Sequence, residues 1–259
     1  MFKKCFIFIF LAIFSLGLGA QELKDDLTRL QSGEDVNVLY RNEASFGIFA
    51  HSAGGFGLAY RRGQHVTGMR KRMFEIEAQN FKHPKEIKSV NQNAPNAKGY
   101  IYGKLNSVLL IRSGVGYQNV IYQKSDKKSV EIRCSYFLGA TLAFAKPVYL
   151  EVHHTDAYSG MPIITTERYV PGSYNDTIDN VLGKASFFKG MDKTKIYPAA
   201  YAKLALSFEY ADRFNGIKAI ETGAVVDIYP YAIPMMAHNK KQEVLVSLYI
   251  KFVWGKKWF

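Results

Sequence analysis

Three groups of residues have the types to do chemistry. His51 precedes Ser52, a pairing in which an imidazole could activate a hydroxyl for ester hydrolysis. On a β-strand, however, neighbours project to opposite faces, so this pair does not assemble a nucleophile and base. His153, His154 and Asp156 offer metal-ligating atoms, but adjacent histidines on a strand also diverge, and no second cluster completes a coordination sphere. The third group is Arg61, Glu75, Glu77, Arg112, Glu131, Arg133, Lys203, Glu209, Glu221, Asp227 and Lys251. These charges are scattered along the chain, yet each alternates with apolar neighbours and so belongs to the minority face of a strand. The sequence contains no phosphate-cradling glycine loop, nucleophile elbow or zinc-binding helix motif. The expectation is a protein that is not an enzyme and holds neither cofactor nor metal.

What positions the third group is a period of two, which sends successive side chains to opposite faces. Near the C-terminus Val244, Val246, Leu248, Ile250, Phe252 and Trp254 share one face, against Ser247, Tyr249 and Lys251. Upstream, Ala202, Leu204, Leu206, Phe208 and Tyr210 oppose Tyr201, Lys203, Ser207 and Glu209, and Ile220, Ala224, Val226 and Ile228 oppose Glu221, Gly223 and Asp227. The longest run goes from Val130 to Phe144 through Ile132, Cys134, Tyr136, Leu138, Ala140 and Leu142. Weaker alternations at Phe74–Ala78 and Leu109–Tyr117, with two glycine-rich strands around Phe46–Ala50 and Phe56–Tyr60, bring the total to about eight strands.

Such strands build either a soluble sandwich with its oily face inward or a membrane barrel with its oily face outward. Length decides between them: several strands reach ten residues or more, as a tilted membrane strand needs, whereas soluble strands average about 5–6 residues. Tyr60, Tyr117, Tyr122, Tyr149, Tyr210, Tyr229, Trp254, Trp258 and Phe259 are spaced to form aromatic girdles. The predicted fold is all-β, a transmembrane antiparallel up-and-down barrel of about eight strands with long outer loops. A soluble periplasmic β-sheet binding protein is the alternative.

Lys3 and Lys4 followed by an apolar run from Cys5 to Leu18 and the small residues Gly19 and Ala20 have the layout of a secretory signal peptide. Residues 1–20 are therefore read as the signal, 21–43 as a periplasmic N-terminal segment and 44–259 as the outer-membrane barrel. Cleavage would leave Cys134 as the single cysteine, so no intramolecular disulfide can form. The formal net charge of +12 would suggest nucleic acid in a cytoplasmic protein. In the envelope no nucleic acid partner is expected, and the polyanion to hand is outer-membrane lipid and lipopolysaccharide. Lysines crowd the outer loops for such contacts: Lys82, Lys85, Lys88, Lys98 and Lys104, then Lys184, Lys189, Lys193 and Lys195, then Lys240 and Lys241.

The connections sort into short turns (64–69, 122–128, 212–215) and long loops (81–104, 147–197, 230–242), with 53–55 as a short exception; short periplasmic turns and long external loops are the rule for these barrels. A signal peptide, eight alternating strands, long polar outer loops and a last strand ending on the aromatic Phe259 resemble the small outer-membrane β-barrel proteins of Bacteroidota. The resemblance is one of architecture. It implies that Val244–Phe259, with Phe252, Trp254, Trp258 and Phe259, is recognised by the barrel-insertion machinery. Lys256, Lys257 and Trp258 depart from a simple alternating ending.

An eight-stranded barrel has room inside only for its own side chains. The inward charges are therefore expected to pair with one another and plug the lumen, with a narrow gated conduit as the alternative. The 147–197 loop, rich in Tyr and Phe, is expected to fold over the mouth or grip a partner, which makes an accessory or structural role in an envelope protein complex, in secretion or envelope assembly, the leading reading.

Overall fold

The computed structural model describes residues 41–92, 97–124, 129–155, 161–173, 178–210, 216–237 and 243–259. The expected signal peptide and most of the N-terminal segment lie outside them. The strands in chain order are β1 (Asn42–His51), β2 (Gly55–His65), β3 (Arg70–Phe81), β4 (Lys88–Ser89), β5 (Tyr100–Ile101), β6 (Asn106–Tyr122) and β7 (Glu131–Pro147). There follow β8 (Tyr149–Thr155), β9 (Pro162–Arg168), β10 (Val181–Lys184), β11 (Lys195–Glu209), β12 (Gly216–Ile228) and β13 (Val244–Trp258).

Eight of these close a barrel in the order β1-β13-β12-β11-β7-β6-β3-β2, every pair antiparallel. Closure is made by the first strand against the last, in an unbroken register from Asn42↔Trp258 to His51↔Tyr249. Each unpaired backbone amide in hydrocarbon costs several kcal/mol, and a closed sheet leaves no edge. β1 begins at Asn42, inside the segment expected to precede the barrel, because Glu43 already points into the lumen.

Alternation sets which side each residue faces, and here the soluble pattern is inverted. The apolar sets read from the sequence lie outward and exposed: Phe46 and Ile48 on β1, Leu58 on β2, Leu138 and Leu142 on β7, Leu204 and Leu206 on β11, and Val246, Leu248, Ile250 and Phe252 on β13. The charged sets face inward. In water such a wall would lose the burial free energy of every outward Leu, Ile and Phe, roughly 1.5–3 kcal/mol each, which removes the soluble periplasmic reading.

At the end of β13 the alternation does not break where Lys256 and Lys257 suggest it would. Lys256 and Trp258 continue the outward row, and Lys257 turns inward onto Glu209 at 2.8 Å. Tyr229, expected in a girdle, is instead buried inside the barrel, because Ile228 holds the outward position and the next residue must face in. Tyr149 belongs to the loop sheet described below rather than to a girdle.

Crowding inside explains two glycines. A Cβ on Gly57 would lie 2.2 Å from the Phe49 ring, and one on Gly114 would lie 2.3 Å from Tyr201 Oη. Only a bare backbone leaves room for these aromatics to reach across the lumen.

Candidate functional site

The lumen is filled in two ionic layers and one apolar layer. In the middle, Glu75 and Glu77 of β3 and Glu221 of β12 meet Arg61 of β2, Lys203 of β11 and Lys251 of β13. Arg61 Nε donates to Glu75 Oε2 at 2.8 Å, and its Nη1 donates to Glu221 Oε2 at 2.7 Å. Lys203 Nζ donates to Glu77 Oε1 at 2.6 Å, and Lys251 Nζ donates to the same oxygen at 2.7 Å and to Glu75 Oε2 at 3.0 Å. Tyr249 Oη donates to Glu221 Oε1 at 2.8 Å. Glu75 and Glu221 have no exposed surface at all.

Slightly nearer the loops, Arg112 of β6 grips Asp227 of β12 with two hydrogen bonds, Nε to Oδ1 at 3.0 Å and Nη2 to Oδ2 at 2.5 Å. Thr141 Oγ1 donates to the same carboxylate at 2.7 Å. Aromatic rings pack the spaces between cations: Arg61 lies 4.9 Å over Phe137, Lys203 lies 4.8 Å over Tyr249, and Lys251 lies 5.3 Å over Phe49. Cations on ring faces are attracted by the ring quadrupole, more strongly when desolvated.

Toward the turns lies the second ionic layer, Arg133 between Glu131 and Glu209, Lys257 on Glu209, and Lys71 on Glu43. Ten of the eleven charges singled out from the sequence are buried, and Glu131 is half-buried at the turn end. Sequence reasoning missed Glu43, Lys71 and Lys257. Extending each strand's alternation by two or three further steps would have found them. With these included, seven cations (Arg61, Lys71, Arg112, Arg133, Lys203, Lys251, Lys257) are ion-paired with seven anions (Glu43, Glu75, Glu77, Glu131, Glu209, Glu221, Asp227) among the described residues. Equal numbers matter because an uncompensated buried charge is far more costly than a paired one.

Apolar outside, ionic and filled inside, closed at every edge: this is a transmembrane β-barrel of the outer-membrane kind.

Above the ionic layers the loop end is stopped by apolar side chains. Phe81, Val108, Leu110, Ala143, Ala145, Tyr229 and Leu245 line it, and Ile233 and Met235 of the 230–242 loop drop into it. That loop is pinned by Asn106 Nδ2 donating to the Pro234 carbonyl at 2.6 Å and by Leu105 N donating to the Met235 carbonyl at 2.9 Å.

The 147–197 loop is not plain linkage. It carries a three-stranded sheet in the order β10-β8-β9, with a small core of Tyr100, Val148, Leu150, Val152, Tyr169 and Val181. Burial pushes the Tyr100 phenol above its usual range, so it stays neutral there. The 81–104 loop is stitched to this sheet: Asn91 Nδ2 donates to the Val181 carbonyl at 3.1 Å, and Lys98 N to the Leu182 carbonyl at 2.8 Å. The described parts of the three long loops thus pack into one cap, the third joined to the first where Ala237 N donates to the Gly103 carbonyl at 2.8 Å. On it Met161, Ile163, Ile164, Val170 and Tyr231 stand exposed.

The other sequence candidates do not assemble sites. His51 is enclosed, with Nε2 2.9 Å from the Asn80 carbonyl, while Ser52 Oγ accepts from Leu248 N at 3.1 Å. His154 sits 2.7 Å from Glu167, and Asp156 lies outside the described residues. Of the expected lipopolysaccharide lysines, Lys104 is instead paired with Glu86 and largely covered, and Lys98 is paired with Glu151 at 3.2 Å. Lys82, Lys85, Lys88, Lys184, Lys189, Lys193 and Lys195 are exposed, and Lys240 and Lys241 lie outside the described residues. Phe252, Trp254 and Trp258 stand on the outer wall, and Phe259 follows β13 at the exposed C-terminus.

Among solved structures the chain is similar to the attachment invasion locus protein Ail of Yersinia pestis, at 6% identity and a TM-score of 0.39 over 84% of this chain and 97% of that one. That Ail structure is a complex with the heparin analogue sucrose octasulfate. It is also similar to Neisserial surface protein A, at 9% identity and a TM-score of 0.37 over 84% of this chain and 95% of that one. No protein-family model matches the chain, and no curated protein sequence matches it.

Proposed function

We propose that this protein is a non-enzymatic integral component of a Gram-negative outer membrane, a sealed barrel that anchors an ordered external platform for a protein partner in the envelope. The observation that carries the reading is the combination of a lumen filled by balanced ion pairs and closed by Ile233 and Met235 with a folded cap whose β9 region exposes Met161, Ile163 and Ile164. A filled lumen leaves the cap as the working surface, and exposed apolar side chains on a folded surface mark interaction sites. The gated-conduit alternative would need a path through two ionic layers and the stopper.

In this reading the insertion machinery recognises β13 through Phe252, Trp254, Trp258 and Phe259, and the exposed cap lysines, Lys184, Lys189, Lys193 and Lys195 among them, meet lipopolysaccharide phosphates. Nucleic acid is not a partner. A photo-crosslinking residue placed at Ile164 in living cells tests the platform, with one at the wall position Leu248 as control. The expected result is a discrete protein adduct at 164 and lipid only at 248. No protein adduct at 164, or unitary ion currents from the purified wild-type barrel in planar bilayers, would overturn the reading.

A further inference from the structure

The outer wall carries charges of its own at the turn end. Arg62 of β2 and Arg72 of β3 both project outward and are exposed. Across the ladder Arg62 faces Phe74 and Gln64 faces Arg72, so the two arginines are diagonal neighbours on the same face. A cleft of about 350 Å³ opens on this face, lined by Asn42, Arg62, Gln64, Arg72, Phe74 and Val115. That volume lies at the small end of the range for ligand sites. No carboxylate pairs with Arg62 or Arg72 among the described residues, although every cation inside the barrel has an acidic partner.

The cleft sits at a boundary. On its loop side the wall is apolar, with Leu58, Tyr60, Phe74, Ile76 and Val115 exposed. At its own level Arg70 lies 4.2 Å over the Tyr117 ring and donates to Tyr136 Oη at 3.2 Å, an arrangement that holds two outward tyrosines in place, the ring type that settles where a wall meets headgroups. Below it the chain turns back at 66–69. An occupant of the cleft would have its polar end against two guanidinium groups and its body along an oily wall. A guanidinium fork matches the oxygens of a phosphate with paired hydrogen bonds.

We infer that this cleft binds the phosphate of a membrane glycerophospholipid in the leaflet on the turn side, its acyl chains lying along Phe74 and Val115. The inference rests on the membrane-barrel reading. It commits to glycerophospholipid because the cleft lies at the end of the short turns, opposite the cap that bears the lysines.

The test is native mass spectrometry of the purified barrel released from detergent, titrated with phosphatidylglycerol, with diacylglycerol as the phosphate-free probe and with lipid A. We expect phosphatidylglycerol adducts, no diacylglycerol adducts, and a loss of retained phosphatidylglycerol of at least about tenfold in Arg62→Gln/Arg72→Gln, since hydrogen bonds to charged groups contribute about 1.5–3 kcal/mol. Lys189→Gln/Lys193→Gln on the cap should retain the wild-type amount. Equal retention by the arginine double variant, equal binding of diacylglycerol, displacement of phosphatidylglycerol by lipid A, or no adduct at all would each overturn the inference. Should the double variant not fold, Arg72→Gln alone reads the same difference. Failure of the membrane reading would look different, as protein that stays monomeric in buffer without detergent.

Discussion

Replacing Asp227 by Asn measures how dry the lumen is. The carboxylate has no exposed surface and accepts three hydrogen bonds, two from Arg112 and one from Thr141. The amide keeps the shape and removes the charge. Arg112 is then left with Glu77 at 3.8 Å as its remaining ion pair, and the seven-to-seven balance becomes seven to six. Breaking a buried pair by removing one partner costs about 3–5 kcal/mol. An amide nitrogen turned toward the guanidinium adds to that, and an amide oxygen turned toward it recovers about 1 kcal/mol. The net expectation is a loss of about 3 kcal/mol, which is about two orders of magnitude in the folding equilibrium.

The assay is reversible urea unfolding of the barrel in phospholipid vesicles, followed by fluorescence of Trp254 and Trp258 and by heat-modifiable migration. The companion Asp227→Leu/Arg112→Met removes both charges, and since replacing a buried pair by apolar groups is often neutral, it should recover most of the loss. The coupling between the two positions would then exceed about 1 kcal/mol in a double-mutant cycle. If Asp227→Asn unfolds at the wild-type midpoint, water reaches Arg112 and the lumen is not the sealed layer described above.

Three further outcomes are expected. Gly114→Ala should lower stability by about 1–3 kcal/mol, as overpacking does, and adding Tyr201→Ala should relieve only part of the clash, because the added methyl would collide with the Tyr201 hydroxyl and also stand 2.8 Å from the Leu138 carbonyl; a Gly114→Ala barrel with the wild-type unfolding midpoint would contradict this. A nitroxide attached to Cys134, half-buried on the outward row of β7, should collide more with oxygen than with a water-soluble nickel chelate in vesicles, and the reverse preference would mean that the oily face does not meet lipid. Deleting Phe259 should leave the refolded barrel's unfolding midpoint within about 0.5 kcal/mol, as for changes away from packed features, yet lower the fraction assembled in cells; unchanged assembly would remove its role as an insertion signal.

The barrel was legible because its strands run 10 to 17 residues, long enough for a period of two to stand out above noise. The same alternation puts Arg61, Glu75, Arg112 and Lys251 on the minority faces of their strands, from residue order alone. What it did not reveal were the cap strands: β8, β9 and β10 run only 7, 7 and 4 residues, and their order depends on contacts such as Asn91 to Val181, 90 residues apart, that no local pattern announces. Lys257 was obscured for another reason. Two adjacent lysines look like the end of a strand, yet at a membrane boundary one can reach outward to headgroups while its neighbour turns inward to a carboxylate.

The seam between β1 and β13 ties the earliest strand of the barrel to the latest. Asn42 has its partner at Trp258, so a ribosome that has released all but the final segment has still not supplied what β1 pairs with. Until then β1 presents a bare edge, the kind of surface on which chains stick to one another. Synthesis and assembly must therefore be separated in time, and something in the cell has to keep the nascent strands apart during the interval.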